Sequence, residues 1–296
     1  MSDFVIKPLP SIEQLSSMAV AKLVTFGQQL LLPYSDSAKL DTEILICFVL
    51  NKPRSFLLTW PEHKLTERQT EQFSALIQRR VQGEPIAYIV QMREFWSLSL
   101  QVSPATLIPR PDTEILVEQV LSHHQGVELS CLDLGTGTGA IALALASERP
   151  KWQIEAVDYS HDAVALAKRN GLNLNLAQVK IYQSDWFSNV AKDKRFDVIV
   201  SNPPYIDEND HHLNEGDVKF EPKTALVASD NGLADIKIIA RDALSFLNSG
   251  GFLYIEHGFE QSHAVQTILA DLAYSDIQTV KDYNHNERVT WACYLV

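Results

Sequence analysis

The residues most suggestive of chemistry are Asn202-Pro203-Pro204-Tyr205, placed directly after the apolar run Phe196–Ser201. An asparagine, two prolines and an aromatic in this order suit a planar nitrogen whose lone pair is delocalised and therefore poorly nucleophilic. A carboxamide nitrogen is one such group; the exocyclic amine of adenine or cytosine is another. The Asn202 side-chain oxygen and the Pro203 carbonyl can each accept one N–H, and Tyr205 can pack on the planar group. Proline has a fixed φ, and its own carbonyl stays free to accept. Held in this way, the nitrogen can pyramidalise and aim its lone pair at an electrophile in line. That is catalysis by positioning and preorganised hydrogen bonding, with no metal and no strong base. The bland alternative is a proline stop followed by a surface tyrosine.

A second constellation is Asp133-Leu134-Gly135-Thr136-Gly137-Thr138-Gly139, at the junction of an expected strand and helix. Glycines there let the backbone turn sharply and approach a ligand closely. Asp158 follows Gly135 by 23 residues, at the end of the next expected strand, where a carboxylate can accept from two ribose hydroxyls. Together these features specify an adenosine-containing cofactor. Gly135-x-Gly137-x-x-Ala140 also satisfies the loose dinucleotide pattern, so a nicotinamide enzyme stays open on the loop alone.

The elements that must position these residues begin with helices. Leu40, Ile44, Cys47 and Phe48 recur at i, i+4, i+7 and i+8, which predicts one apolar helical face, with Asp36 as its cap. Thr66-Glu67-Arg68-Gln69 has the capping-box pattern and opens a helix that continues through Phe73, Leu76, Ile77 and Val81. Residues 1–85 are expected to form a small helical N-terminal domain. Trp96, Leu98, Leu100 and Val102 alternate with polar neighbours, and with the apolar run 86–90 they predict a β-hairpin linker over 86–108. From 109 to 296 strands and helices alternate: strands at 129–134, 153–157, 179–183, 196–201 and 251–256, helices at 138–148, 162–170 and 233–247. This alternation predicts a parallel sheet covered on both faces. Two final strands, near 277–283 and 289–296, are joined by a short turn and must be antiparallel, because parallel neighbours need a crossover.

Composition narrows the function classes. The 296 residues suffice for one large domain and a small one, and 46% hydrophobic with 21% charged residues is ordinary globular composition. No run approaches the ~20 apolar residues of a membrane span, and Met1-Ser2-Asp3-Phe4 lacks the start of a secretory signal, so a soluble, cytoplasmic protein is expected. Cys47, Cys131 and Cys293 are scattered in apolar runs and read as buried thiols; His211-His212 reads as surface, and no metal site is expected. The net charge is −12, and residues 1–85 hold equal numbers of acidic and basic side chains, so all of it falls on the remainder. That acidity argues against a dedicated nucleic-acid binder. A monomer with no nucleic-acid or membrane partner is the expectation.

The antiparallel tail resembles the seven-stranded, Rossmann-like α/β sheet of class I S-adenosylmethionine-dependent methyltransferases rather than a dehydrogenase. In that class Asp185-Trp186, after the third strand, falls where the adenine is held. More closely, the chain resembles the glutamine methyltransferases of peptide chain release factors. The resemblance rests on residues 83–88 (Gly-Glu-Pro-Ile-Ala-Tyr), Phe95-Trp96, residues 108–114 (Ile-Pro-Arg-Pro-Asp-Thr-Glu), the glycine loop, Asp185-Trp186, residues 202–205 and Phe220-Glu221-Pro222. It implies methylation of the side-chain nitrogen of the glutamine in the Gly-Gly-Gln tip of class 1 release factors, the proteins of translation termination. It also implies that the helical N-terminal domain, residues 1–85, helps recognise the protein substrate. The implied methyl donor is S-adenosylmethionine and the product S-adenosylhomocysteine. Carried across, cofactor contacts fall on Gly135, Thr136, Gly137, Thr138, Gly139, Asp158, Asp185, Trp186 and Asn202. Substrate contacts fall on Asn202, Pro203, Pro204 and Tyr205, with Asn202, Pro203 and Tyr205 as the catalytic set. The alternative is a DNA adenine-N6 methyltransferase using the same chemistry on a flipped base. Arg110-Pro111-Asp112-Thr113-Glu114 reads either as a helix start or as a pocket wall, and residues 206–231 as a substrate wall or lid. Glu256-His257-Gly258 reads as a turn or as a substrate contact.

Overall fold

The computed structural model describes residues 9–126, 128–214 and 216–295. Met1–Phe4 and Val296, the end of the last expected strand, lie outside them. The chain divides into two compact units, one up to Gln91 and one from Met92 onward. Among the described residues no helix is long and apolar enough to cross a membrane.

The first unit is helical. The expected capping box forms at Thr66: Gln69 N–H donates to Thr66 Oγ1 at 3.3 Å, and Thr66 N–H to Gln69 Oε1 at 3.0 Å. The helix Glu67–Val81 buries Phe73, Leu76, Ile77 and Val81, as the spacing predicts. In the helix Ala38–Leu50 the expected face is the wrong one, since Leu40 and Phe48 are exposed while Leu45, Ile46, Val49 and Leu50 are buried. Apolar residues surround this helix, so periodicity cannot choose a side. The choice is marked by a charge: Asp41 is buried, accepts from Arg80 Nε at 2.7 Å, and takes the hydroxyls of Ser35 and Ser37. Its N-cap is Ser37 rather than Asp36. Ile86–Val90, expected as a strand, is a short helix. Pro85 starts it, with Ile89 N–H reaching the Pro85 carbonyl at 3.1 Å, and Gln91 ends it at φ 58°. Five consecutive apolar residues carry no period, and here the proline decides.

The second unit opens with a hairpin, β1 (Met92–Phe95) and β2 (Leu98–Gln101), paired antiparallel. It is pinned to its own unit by Asn170, whose Oδ1 accepts from Gln101 N–H at 2.8 Å and whose Nδ2 donates to Gln101 O at 3.0 Å. Seven further strands form one sheet: β3 (Ser130–Leu134), β4 (Gln153–Asp158), β5 (Lys180–Gln183), β6 (Phe196–Ser201), β7 (Leu247–Glu256), β8 (Ser275–Lys281) and β9 (Glu287–Tyr294). Their order is β5-β4-β3-β6-β7-β9-β8. Only β9 runs against the rest; it pairs antiparallel with β7 on one side and β8 on the other. β7 begins at Leu247, earlier than expected, and the helix before it is Ala234–Ala243. A helix at Ser262–Asp271, unanticipated, fills the connection to β8.

Two apolar cores cover the two faces of this sheet. Leu132, Ile199, Leu253 and Ile255 belong to one, while Cys131, Val198, Val200 and Tyr254 belong to the other, as alternation along the strands requires. The helix Ala140–Glu148 is buried from Ala140 through Ala146. It is apolar all round because it fills the space behind the glycine loop. Cys131 and Cys293 are buried as expected, while Cys47 is half-buried.

Candidate active site

β3 and β6 lie side by side at the point where strand order reverses, with Leu134 paired to Ser201. The crevice beyond the carboxyl ends of such strands is where open α/β sheets bind ligands. The Ser201 hydroxyl donates to the Leu134 carbonyl at 2.8 Å, locking the two strand ends together. The glycine loop leaves β3 and the run 202–205 leaves β6, so both borders of one cleft of about 280 Å³ come from neighbouring strands.

The loop needs its glycines. Gly135, Gly137 and Gly139 have φ of 72°, 56° and 85°, left-handed values that L side chains resist. Gly139 also caps the helix Ala140–Glu148, where a Cβ would lie 3.0 Å from Leu143 Cδ1. The loop is braced from below by Asp133. Its Oδ2 accepts from Thr136 Oγ1 at 2.6 Å and from Ala142 N–H at 3.2 Å, while Oδ1, fully buried, has no hydrogen bond. Burial raises this carboxyl to about 7, against the two hydrogen bonds that favour its charge.

Asp158, at the end of β4, accepts Gly137 N–H on Oδ2 and Ser160 N–H on Oδ1, both at 2.8 Å. Asp158 lines the cleft, and burial raises its carboxyl above the ordinary range. Trp186 stands in the left-handed region at φ 44°, and a Cβ on Gly135 would be 3.4 Å from its Cζ3. The indole thus covers the start of the loop. Asp235, from the helix Ala234–Ala243, faces the indole; burial raises its carboxyl and the neighbouring indole lowers it. Asp235 lines the cleft beside Asp185 and was not anticipated from the sequence. Nothing local to residue 235 marks it; a distant helix brings it to Trp186.

Of the other anticipated residues, Gly135, Thr136, Gly137, Thr138, Asp158, Asp185, Trp186, Asn202 and Pro204 line the cleft. Gly139 acts as the cap behind it, Pro203 is buried, and Tyr205 turns its hydroxyl to Glu256 Oε1, a long contact at 3.5 Å. Asn202 Nδ2 donates to Thr113 Oγ1 at 3.2 Å. Residues 110–114 are both helix start and wall: Pro111–Thr113 is a 3-10 turn leading into Glu114–His123, and Arg110 and Thr113 line the cleft. Arg110 Nη2 donates to both oxygens of Glu221 at 2.8 Å, tying this wall to the segment after Tyr205. Burial pushes Glu221 up to about 7 even with that partner. Thr224 and Ala225 complete that side, and Ile206 closes its base by pairing with Val227.

Behind Tyr205, Gln261 Nε2 donates to the Tyr205 carbonyl at 2.9 Å. Gly232, at φ 80°, approaches so closely that a Cβ would fall 2.0 Å from that oxygen. Glu256 is fully buried; burial lifts it to about 7, opposed by the Thr113 and Tyr205 hydroxyls and by Arg288, with Asp112 adding to the rise. His257 is structural. Its Nδ1 meets the Gly258 carbonyl at 2.9 Å and Nε2 the Thr290 hydroxyl at 2.8 Å, and burial lowers its pKa. His211 is exposed, and among the described residues no cluster of three or more His, Cys, Asp or Glu could hold a metal.

Known proteins share this architecture. Residues 111–220 match the family described as Methyltransferase small domain. A solved methyltransferase from Pyrococcus furiosus superposes with a TM-score of 0.53 at 18% identity, covering 75% of this chain and all of the other. The sheet order, the reversed β9 and the cleft at β3 and β6 define a class I methyltransferase. Residues 22–90 match the PrmC N-terminal domain. The release factor glutamine methyltransferase of Shewanella oneidensis is 53% identical over 92% of this chain and 94% of its own, and that of Escherichia coli K12 is 55% identical over 88% and 94%. The chain belongs to the release factor glutamine methyltransferase family.

Proposed function

We propose that this enzyme transfers a methyl group from S-adenosylmethionine to the side-chain amide nitrogen of the glutamine in the Gly-Gly-Gln motif of class 1 release factors. The observation that carries the reading is the convergence of the glycine loop and Asn202 on one cleft from the paired ends of β3 and β6. The cleft suits a cationic, adenosine-bearing donor. Asp158, Asp185 and Asp235 line it, and its lining cation, Arg110, is neutralised by Glu221. The two Asp158 oxygens are arranged to accept ribose hydroxyls, Trp186 offers a face to the adenine, and the loop backbone from Gly135 to Thr138 admits the remainder. When bound, the donor supplies a methyl group on a positively charged sulfur.

The chain's own residues act on the acceptor. Asn202 Oδ1 and the Pro203 carbonyl each take one N–H of the glutamine amide, withdrawing the lone pair from resonance and aiming it along the transfer axis. Pro204 and Tyr205 flank the amide plane. As the N–C bond forms, the methyl–sulfur bond breaks with its electron pair left on the sulfur of S-adenosylhomocysteine, and one N–H proton is lost to solvent. The helical first unit helps hold the protein substrate, and the acidity of the catalytic part favours protein over DNA as acceptor. Mass spectrometry of a class 1 release factor incubated with enzyme and donor tests the assignment. A gain of one methyl on the Gly-Gly-Gln glutamine is expected; methylation of duplex adenine with none on release factor would reverse it.

A further inference from the structure

Thr113 ends the Pro111–Thr113 turn almost fully buried, and its Oγ1 accepts from Asn202 Nδ2 at 3.2 Å. The same hydroxyl faces the Glu256 carboxyl and lowers its pKa; that carboxyl is enclosed at the end of β7, with Oε2 making no hydrogen bond. Above about pH 7 Glu256 is ionised and only accepts, so a hydroxyl facing it directs its single proton there. Lone pairs are then all that the Thr113 oxygen offers Asn202, and only the NH2 end of a carboxamide can meet them. The Asn202 Oδ1 is turned the other way. Arg288, held by Asp282 at 3.3 Å, stands near enough to favour the ionised Glu256.

We propose that Thr113 and Glu256 are positioning residues for the transfer: the buried carboxylate orients the Thr113 hydroxyl, which grips Asn202 by Nδ2 and presents Oδ1 to the substrate nitrogen. The rate consequence rests on the glutamine-methylation reading; the orientation of the amide does not. Without this grip the carboxamide can turn over, and its NH2 end then faces the substrate N–H, two donors that cannot bond. Thr113 and Glu256 are far from Asn202 in sequence, so no motif around residue 202 announces them.

The test compares Thr113→Val, which keeps the branched shape without the hydroxyl, with Thr113→Ser, which keeps the hydroxyl. Two quantities are read in the full chain: steady-state methylation of release factor, and hydrogen exchange of the Asn202 side-chain amide by NMR, assigned from its loss in Asn202→Ala. Thr113→Val is expected to lower kcat about 10- to 100-fold, with KM and donor Kd within about threefold, and to speed amide exchange. Thr113→Ser should bring kcat and exchange back to near the wild-type values. Where Thr113→Val melts below the assay temperature, Thr113→Ala takes its place. Unchanged kcat and exchange in the hydroxyl-free variant overturn the proposal. So does a Thr113→Ser enzyme as slow as Thr113→Val, which assigns the role to the methyl group. If no variant nor the wild type methylates release factor, the substrate reading fails by itself, and the exchange measurement still decides the positioning.

Discussion

Replacing Asn202 by alanine removes the acceptor that the proposed chemistry asks for first. The side chain is half-buried in the cleft wall and makes one neutral hydrogen bond, to Thr113. Losing that bond costs the fold only about 0.5–1.5 kcal/mol, so the variant should remain folded. The transition state loses more. One preorganised hydrogen bond to the reacting group is worth about 2–4 kcal/mol, which corresponds to roughly 30- to 1000-fold in kcat. Donor affinity should weaken only moderately, because the glycine loop, Asp158 and Trp186 are untouched. Single-turnover transfer of labelled methyl to release factor measures the chemical step, and calorimetry measures donor binding. A variant that turns over like wild type would refute the mechanism. A variant whose loss lies wholly in donor affinity would move Asn202 out of the catalytic set.

Asp158→Asn should raise the donor Kd by about 10- to 100-fold, since hydrogen bonds to a charged partner are worth about 1.5–3 kcal/mol; equal affinity by calorimetry would contradict the ribose assignment. Gly232→Ala should lower kcat more than donor affinity, because the new Cβ must displace the Tyr205 carbonyl; unchanged kinetics would show that the turn yields instead. The contribution of Asp133 to the stability of the donor-free protein should fall as pH rises from about 4 to about 7. Burial raises this carboxyl to about 7, so the folded state keeps a proton there that the unfolded state loses across that window. Asp133→Asn should flatten this slope by at most about 1.4 kcal/mol per pH unit. Parallel melting-temperature profiles for wild type and Asp133→Asn would remove Asp133 from the account.

What the sequence makes legible follows from how local each signal is. Phe196–Ser201 is bounded correctly because six residues of a buried parallel strand are followed by Asn202 and then two prolines. The glycine loop is recognisable because three left-handed positions sit within five residues. The reversed β9 is implied by a turn too short for a crossover. The helix Ala38–Leu50 defeats the same reasoning: its apolar residues surround it, and the packed side is chosen by Asp41 meeting Arg80, 39 residues away. Ile86–Val90 is five apolar residues, as compatible with a strand as with the helix that Pro85 starts. At the site, what the sequence does not disclose is the contacts that reach it from afar. Glu221 meets Arg110 across 111 positions and Thr113 meets Asn202 across 89. Asp235 depends on the placement of a whole helix. Local motifs name the groups that face a ligand, whereas the groups that hold them in place are set by tertiary structure.

The position of β9 bears on how the sheet is assembled during synthesis. It is the last of the seven strands to be made, yet it lies in the interior, between β7 and β8. Until it arrives, β7 has one open edge and β8 has no partner at all. The nascent enzyme therefore carries an unfinished edge whose backbone groups invite pairing with other chains until translation of this strand is complete. A chain ending before Glu287 should lose more than an edge strand: β8 would be stranded, and aggregation rather than a trimmed, soluble sheet is the expected product. A soluble, monomeric protein with donor affinity intact after that truncation would show that the first five strands close without it.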